Sequence, residues 1–357
     1  MKYLWAYSIP VVGVLGIYFG GYWSFSALLF AFVVIPFLEL LLPIDEKNYD
    51  EEAVSKRLTN KLFDVLLYLN VPIVYGTLLF CLYKITQTNL SLSEIIGMTI
   101  SLGIILGANG INVAHELGHR TSLFEKILGK TLLIPSHYTH FFIEHNRGHH
   151  VRVATPEDPA TSRKGETFYG FWWRSVTQGY LSSWHLEIER LQKKGLGFWS
   201  LSNQMIWFQI LPLIFVSFFF GLFSYLEQRL VWEVPAFFFI QSILGFSLLE
   251  LVNYLEHYGM ERKQLPSGAY EKVTPLHSWN ASQLVSNFLL FQLQRHSDHH
   301  AYAHKRYQVL DHNEASPQLP AGYSAMIILA CIPPLWFAVM DSRLSDWQKE
   351  RKLDLVK

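Results

Sequence analysis

Histidine is absent from the first 114 residues of this 357-residue chain, and cysteine is nearly absent from all of it. The two cysteines, Cys81 and Cys331, both lie in apolar runs. Two thiols cannot make a disulfide framework, a four-cysteine zinc site or an iron–sulfur centre. Charge is scarce as well. Asp, Glu, Lys and Arg make up 16% of the residues, against about 25% in a soluble globular protein. Neither sign is in excess, with 29 basic and 29 acidic side chains. That balance argues against nucleic-acid binding, which advertises a basic surplus. A cleavable signal peptide is not expected, because Lys2 leads straight into a long apolar segment. No internal repeat or low-complexity tract breaks the chain.

What the chain has instead is apolar length. Half of its residues are hydrophobic and 15% are aromatic. Six runs approach the roughly 20 residues that a bilayer-crossing helix needs: residues 3–19, 22–42, 62–83, 92–113, 205–225 and 231–254. A seventh run, 323–340, contains Pro333 and Pro334 and reads as an interfacial or re-entrant segment. Basic residues sort the connections into two sets. Lys47, Lys56, Arg57 and Lys61 follow the second run, and 11 Lys or Arg fall within 114–204. The opposite connections hold none, Lys84 alone and Arg229 alone. Because cytoplasmic loops carry the Lys/Arg excess, the N-terminus, the long middle connection and the C-terminal region are expected in the cytoplasm of an inner-membrane protein.

Nine of the 15 histidines fall in four tight settings on that side. "HELGH" supplies His115 and His119, "EHNRGHH" supplies His145, His149 and His150, "NYLEHYG" supplies His257, and "QRHSDHH" supplies His296, His299 and His300. Spacings of i, i+3 and i, i+4 place such pairs on one helix face. A lone buried histidine is usually a hydrogen-bonded core residue, but that explanation does not extend to nine in four settings. Neutral imidazole is a common metal ligand, and nine nitrogens suit two ions better than one. Glu116, Glu144, Glu256 and Asp298 stand beside ligand candidates, with Asp158 following in "TPEDPA". Such carboxylates can accept the spare ring N–H and fix the tautomer. "HELGH" also fits the zinc-protease pattern H-E-x-x-H, yet one zinc with about three protein ligands leaves most of the cluster unused. A metal transporter would carry its histidines inside the spans. The expectation is an all-α, polytopic membrane protein over residues 1–357. About six transmembrane helices stand below a cytoplasmic, histidine-rich cap (114–204 and 255–320) that holds two metals. Ligand type does not choose among iron, zinc, copper and manganese. An apolar substrate from the lipid favours a redox metal that activates O₂, since a hydrocarbon offers nothing to hydrolyse.

"HELGHR", "HFFIEHNRGHHVRVATPEDPATSR", "NYLEHYGM" and "HSWNASQLVSNFLLFQLQRHSDHHA", in this order and spacing, resemble the integral-membrane alkane 1-monooxygenases, within the superfamily of histidine-rich membrane hydroxylases and desaturases. With "VVIPFLELL" and "LPAGY", the resemblance spans nearly the whole chain. It implies two non-haem irons on the nine histidines. It also implies terminal hydroxylation of medium- to long-chain n-alkanes, using O₂ and two electrons from rubredoxin and its reductase. A fused rubredoxin is excluded, because two cysteines cannot supply four thiolates to its iron. The donor is then a separate protein, and Arg147, Arg152, Arg295, Lys305 and Arg306 are the candidate docking residues for its acidic surface. In this family a bulky residue on the second span can cap the hydrocarbon channel. Small Ala31, followed by Phe32, stands at that place here, which implies room for longer chains. The chain departs from the family in having Arg120 after the first box and Glu39 in the second span. His140 is the remaining histidine expected to bear on the site. Methyl-aromatic or fatty-acyl substrates are the nearest alternatives, and oligomeric state is not legible.

Overall fold

Apolar runs of this length become helices because, in lipid, every backbone N–H has to find a carbonyl within its own segment. The computed structural model describes residues 2–87 and 89–354. Among these residues it is all-helical, with three isolated bridges and no strand. Six helices are long and apolar enough to cross a membrane: α1 (Lys2–Phe19), α2 (Gly21–Leu41), α3 (Leu62–Ile85), α4 (Leu92–Gly118), α5 (Gln204–Leu226) and α6 (Glu233–His257). They match the six expected runs. However, α4 and α6 continue past the expected ends at 113 and 254, to Gly118 and His257. Hydropathy marks where apolar side chains stop, whereas the backbone ladder continues into the histidines. The run at 323–340 divides into α8 (Tyr323–Ala330) and α9 (Pro333–Asp354), after the short α7 (His296–Ala301). Pro333 cannot donate to a preceding turn and fits the first turn of a new helix.

Helix α4 is the axis of the bundle. Its span is 67% buried, against 22% for α2 and for α5, whose apolar faces are left for lipid. Its start is fixed by a capping box in which Ser91 and Glu94 satisfy each other's backbone N–H groups. Close approach to α6 is set by glycine: a Cβ on Gly103 would lie 2.7 Å from the Leu244 Cβ. Small residues let membrane helices approach in this way, and interhelical polar contacts add to the packing. The Asn109 amide donates to Asn70 Oδ1 at 2.9 Å and to the Ala6 carbonyl at 3.1 Å, tying α4 to α3 and α1. Helices α4 and α6 thus reach one end of the bundle side by side.

Candidate metal centre

The four histidine settings are delivered by different elements to that one end. His115 lies in the last turn of α4, with His119 at its C-cap. His145 and His149 lie in a π-helical turn, Glu144–His149, and His150 follows it. His257 is the last residue of α6. His296, His299 and His300 lie on α7. Their ring nitrogens form two groups, one of His115, His119, His145, His150 and His299, the other of His149, His257, His296 and His300. Within each group the ligand atoms lie within 4.8 Å of one another.

The spacing expectation holds for two pairs and fails for two. His115 and His119 share a group, as do His296 and His300. His145 and His149 are divided between the groups, and His145 pairs with His150 instead. The π turn is the reason: its i→i+5 hydrogen bonding widens the turn and brings residues five apart onto one face. His299 is likewise turned away from His296, because a short helix lying between the groups can supply both.

The donor set fits metal ions. His145 Nε2 is 3.0 Å from both His119 Nε2 and His150 Nε2. His299 Nε2 lies 3.2 Å from His150 Nε2. In the second group, His149 Nε2 is 3.2 Å from His300 Nε2, and His296 Nε2 is 3.3 Å from His257 Nε2. Two nitrogens bound to one ion at about 2.0–2.1 Å stand roughly 3.0–3.4 Å apart at right-angle to tetrahedral geometry. One N–H on His145 cannot serve two facing nitrogens, but a shared cation can. Buried His115 Nε2 has no hydrogen-bond partner at all. Burial lowers the pKa of His119 to about 3 and holds His145, His150, His296, His299 and His300 well below the usual imidazole value. Neutral rings keep the lone pair that coordination requires.

The carboxylates are distributed differently from the sequence expectation. Asp158 does meet a ligand ring: its Oδ2 accepts from His149 Nδ1 at 2.8 Å and from the Thr161 hydroxyl at 2.6 Å. Glu256 meets a different histidine from its neighbour His257, and at the ring nitrogen of the cluster rather than at a spare N–H. Its Oε2 is 3.1 Å from His296 Nε2, the nitrogen that faces His257, and its Oε1 accepts from the Tyr323 hydroxyl at 2.5 Å. Glu116, Glu144 and Asp298 are turned toward cations. Glu116 pairs with Arg120 at 2.8 Å and accepts from the Tyr307 N–H. Glu144 pairs with Arg152 at 2.5 Å, and burial pushes its carboxyl above the usual range. Asp298 pairs with Lys305 at 2.7 Å. His140 packs between the Tyr138 and Tyr180 rings. Arg295, expected at the docking surface, lies inside the protein instead. It is 1% exposed and spends its guanidinium on the carbonyls of Leu310, Asp45 and Lys47, so it offers nothing to a partner. Arg147, Arg152, Lys305 and Arg306 are partly exposed, each ion-paired, with Glu187, Glu144, Asp298 and Asp64 respectively.

An apolar cavity runs from between α1 and α2 to the histidines. Ile9, Ala31, Phe32 and Ile35 line its far part, and His115, His145 and His296 its near end. Ala31 belongs to a second π turn, Phe30–Val34. From α8, Tyr323, Ser324 and Ile327 close one wall. A second, smaller chamber lies beside His145 and His149, with Glu250, Asn253 and Tyr138 among its lining residues. Sequence reasoning passed over these three. An acidic residue within an apolar helix was the available signal for Glu250.

A family model described as fatty acid desaturase matches residues 92–330. The chain is 40% identical over 349 residues to alkane 1-monooxygenase 2 of Pseudomonas aeruginosa, covering 95% of this chain and 91% of the relative. It is 38% identical over 367 residues to an alkane 1-monooxygenase of Acinetobacter baylyi, covering 100% and 87%. It is 28% identical over 350 residues to a xylene/toluene monooxygenase hydroxylase component of Pseudomonas putida, covering 96% and 89%.

Proposed function

The chain belongs to the alkane 1-monooxygenase family, within the wider fatty acid desaturase family, and from that premise we propose that it hydroxylates the terminal methyl of medium- to long-chain n-alkanes. The observation that carries this reading is the meeting of two histidine groups with an apolar cavity between membrane helices. Two non-haem irons are the proposed occupants, one per group. Reduced by two electrons, they would supply the O₂ activation that attack on an unactivated C–H bond requires. The balance is R–CH₃ + O₂ + 2e⁻ + 2H⁺ → R–CH₂OH + H₂O. One C–H bond breaks, one C–O bond forms, and the second oxygen atom leaves as water.

The chain's own residues bind and orient. Leu248, Leu289 and Ile104 line the cavity that would hold the hydrocarbon by exclusion of water. Its inner end would present the methyl to His115, His145 and His296. Asp158 holds His149 in the tautomer that leaves Nε2 free for metal. Tyr323 anchors Glu256 at the inner end of the cavity. The electrons are proposed to come from rubredoxin and its reductase. The donor would approach the cytoplasmic face of the inner membrane near Arg147, Arg152, Lys305 and Arg306.

The alternatives are weaker on specific observations. No Lys or Arg lines the cavity among the described residues, so a carboxylate-bearing acyl chain would find no counter-charge within it. The methyl-aromatic relative is 28% identical, below the 40% of an alkane relative. In a zinc protease Glu116 would be the free general base, but here it is buried in an ion pair with Arg120. The test is expression with a rubredoxin and its reductase, a ladder of n-alkanes and product analysis by gas chromatography–mass spectrometry. The expected products are 1-alkanols that vanish in His299→Ala. No alcohol from metal-loaded protein with a working electron chain would overturn the reading.

A further inference from the structure

The proposed reaction consumes protons and forms water, and the apolar cavity suits neither. A smaller chamber, with Glu144, Ser175, Glu250 and Asn253 among its lining residues, lies next to it, and Phe141, His145 and Asn253 line both spaces as a shared wall. Glu250 stands at the chamber's inner side, 2% exposed on a membrane helix. It accepts from the Tyr138 hydroxyl at 2.8 Å and from the Asn253 amide at 3.5 Å. Acidic groups at membrane depth are found where they pair or line water. Across the chamber, Glu144 gives one carboxylate oxygen to Arg152, while the other, Oε2, is buried with no hydrogen-bond partner. A buried carboxylate oxygen without a protein donor is ordinarily met by ordered water, and the chamber has room for it. Arg152 also donates to the Ser182 hydroxyl at 2.8 Å, and its side chain is 28% exposed, so the cation that holds Glu144 reaches the surface.

We propose that the chamber between Glu144 and Glu250 is a built water conduit, which brings protons to the histidine cluster and takes product water away without crossing the hydrocarbon cavity. The proposal rests on the monooxygenase reading for its purpose, but not for the presence of water. Asn253 and the His145 ring separate the two compartments. Glu144 Oε2, the Tyr138 hydroxyl and Glu250 provide the hydrogen-bond stations along the wet one.

Gly179 gives a way to plug it. A Cβ there would meet only Glu144 Cγ, at 3.8 Å, so Gly179→Ala fits and Gly179→Leu reaches into the chamber. The alanine methyl stops at Glu144, whereas the leucine enters a space that His145 and His149 also line, so labelling is read before turnover. The experiment is hydroxyl-radical labelling by an X-ray pulse on the full chain in lipid nanodiscs, without substrate or electron donor, followed by mass spectrometry at Tyr138. Tyr254, 0% exposed, is the dry reference. Tyr138 should be labelled well above Tyr254 in the native protein and in Gly179→Ala, and should fall to the level of Tyr254 in Gly179→Leu. In turnover, Gly179→Leu should divert electrons from alcohol to hydrogen peroxide. Native Tyr138 labelled no more than Tyr254 would overturn the proposal, and this comparison stands even if Gly179→Leu fails to assemble. A plugged chamber with unchanged alcohol yield and peroxide release would overturn the conduit's role. Absence of alcohol from the native enzyme would count against the reaction itself, and labelling would still report on the water.

Discussion

His149 and Asp158 show how much one contact decides at the residue scale. The gathering of the nine histidines was legible, because imidazole is costly in an apolar neighbourhood and nine of them need a common purpose. Their supports were not legible. Adjacency in sequence placed Glu116, Glu144 and Asp298 beside histidines, whereas in space each faces a cation that lies four to eight residues away. Arg295 was misread for a related reason: positive charge marks a side of the membrane but says nothing of exposure. Asp158 is the exception, since it accepts from His149 across a tight turn. Replacing a carboxylate that orients a metal-bound histidine typically costs 10–100-fold in metal affinity. Asp158→Ala is therefore expected to weaken metal retention by about that factor under chelator challenge, with Asp158→Asn intermediate because its amide oxygen can still accept. Metal retained equally by all three proteins would remove Asp158 from the centre.

At the scale of elements, the helices were legible and their irregularities were not. Hydropathy reports where a helix can lie, but a π turn changes neither composition nor length. The turn over Glu144–His149 sends His145 and His149 to different groups, and the turn over Phe30–Val34 contains Ala31, on the cavity wall. Ala31→Trp should therefore shorten the cavity and move the product profile toward shorter alkanols. An unchanged chain-length profile would show that Ala31 does not limit the substrate. Packing of α4 on α6 is a separate matter, since it carries His115 and His257 to the same level. Overpacking costs about 1–3 kcal/mol, and a Cβ on Gly103 would stand 2.7 Å from Leu244. Gly103→Val is expected to lower the melting temperature in detergent and to reduce metal content. Gly221→Val, whose Cβ meets nothing within 4 Å, should do neither. Equal stability of the two variants would argue that the α4–α6 spacing is not critical.

For the whole molecule, charge distribution and hydropathy were enough to anticipate a multi-pass membrane protein with its histidines at one end. They could not anticipate two adjoining compartments, because their walls are drawn from segments hundreds of residues apart, such as Ile9, Asn253 and Tyr323. The same face carries the partly exposed Arg147 and Arg306, each held by an acidic neighbour. Electrostatic complementarity mainly raises encounter rate. Arg147→Glu with Arg306→Glu is thus expected to lower kcat/KM for rubredoxin at low salt and to flatten its salt dependence, with kcat at saturating donor little changed. An unaltered salt dependence would move the docking surface elsewhere. Occupation of each histidine group by one metal ion is open to elemental analysis of the purified protein. Two irons per native chain are expected, about one in His119→Ala and about one in His257→Ala, with alkanol formation lost in both. A single zinc per native chain, lost in His119→Ala and untouched in His257→Ala, would contradict that occupancy.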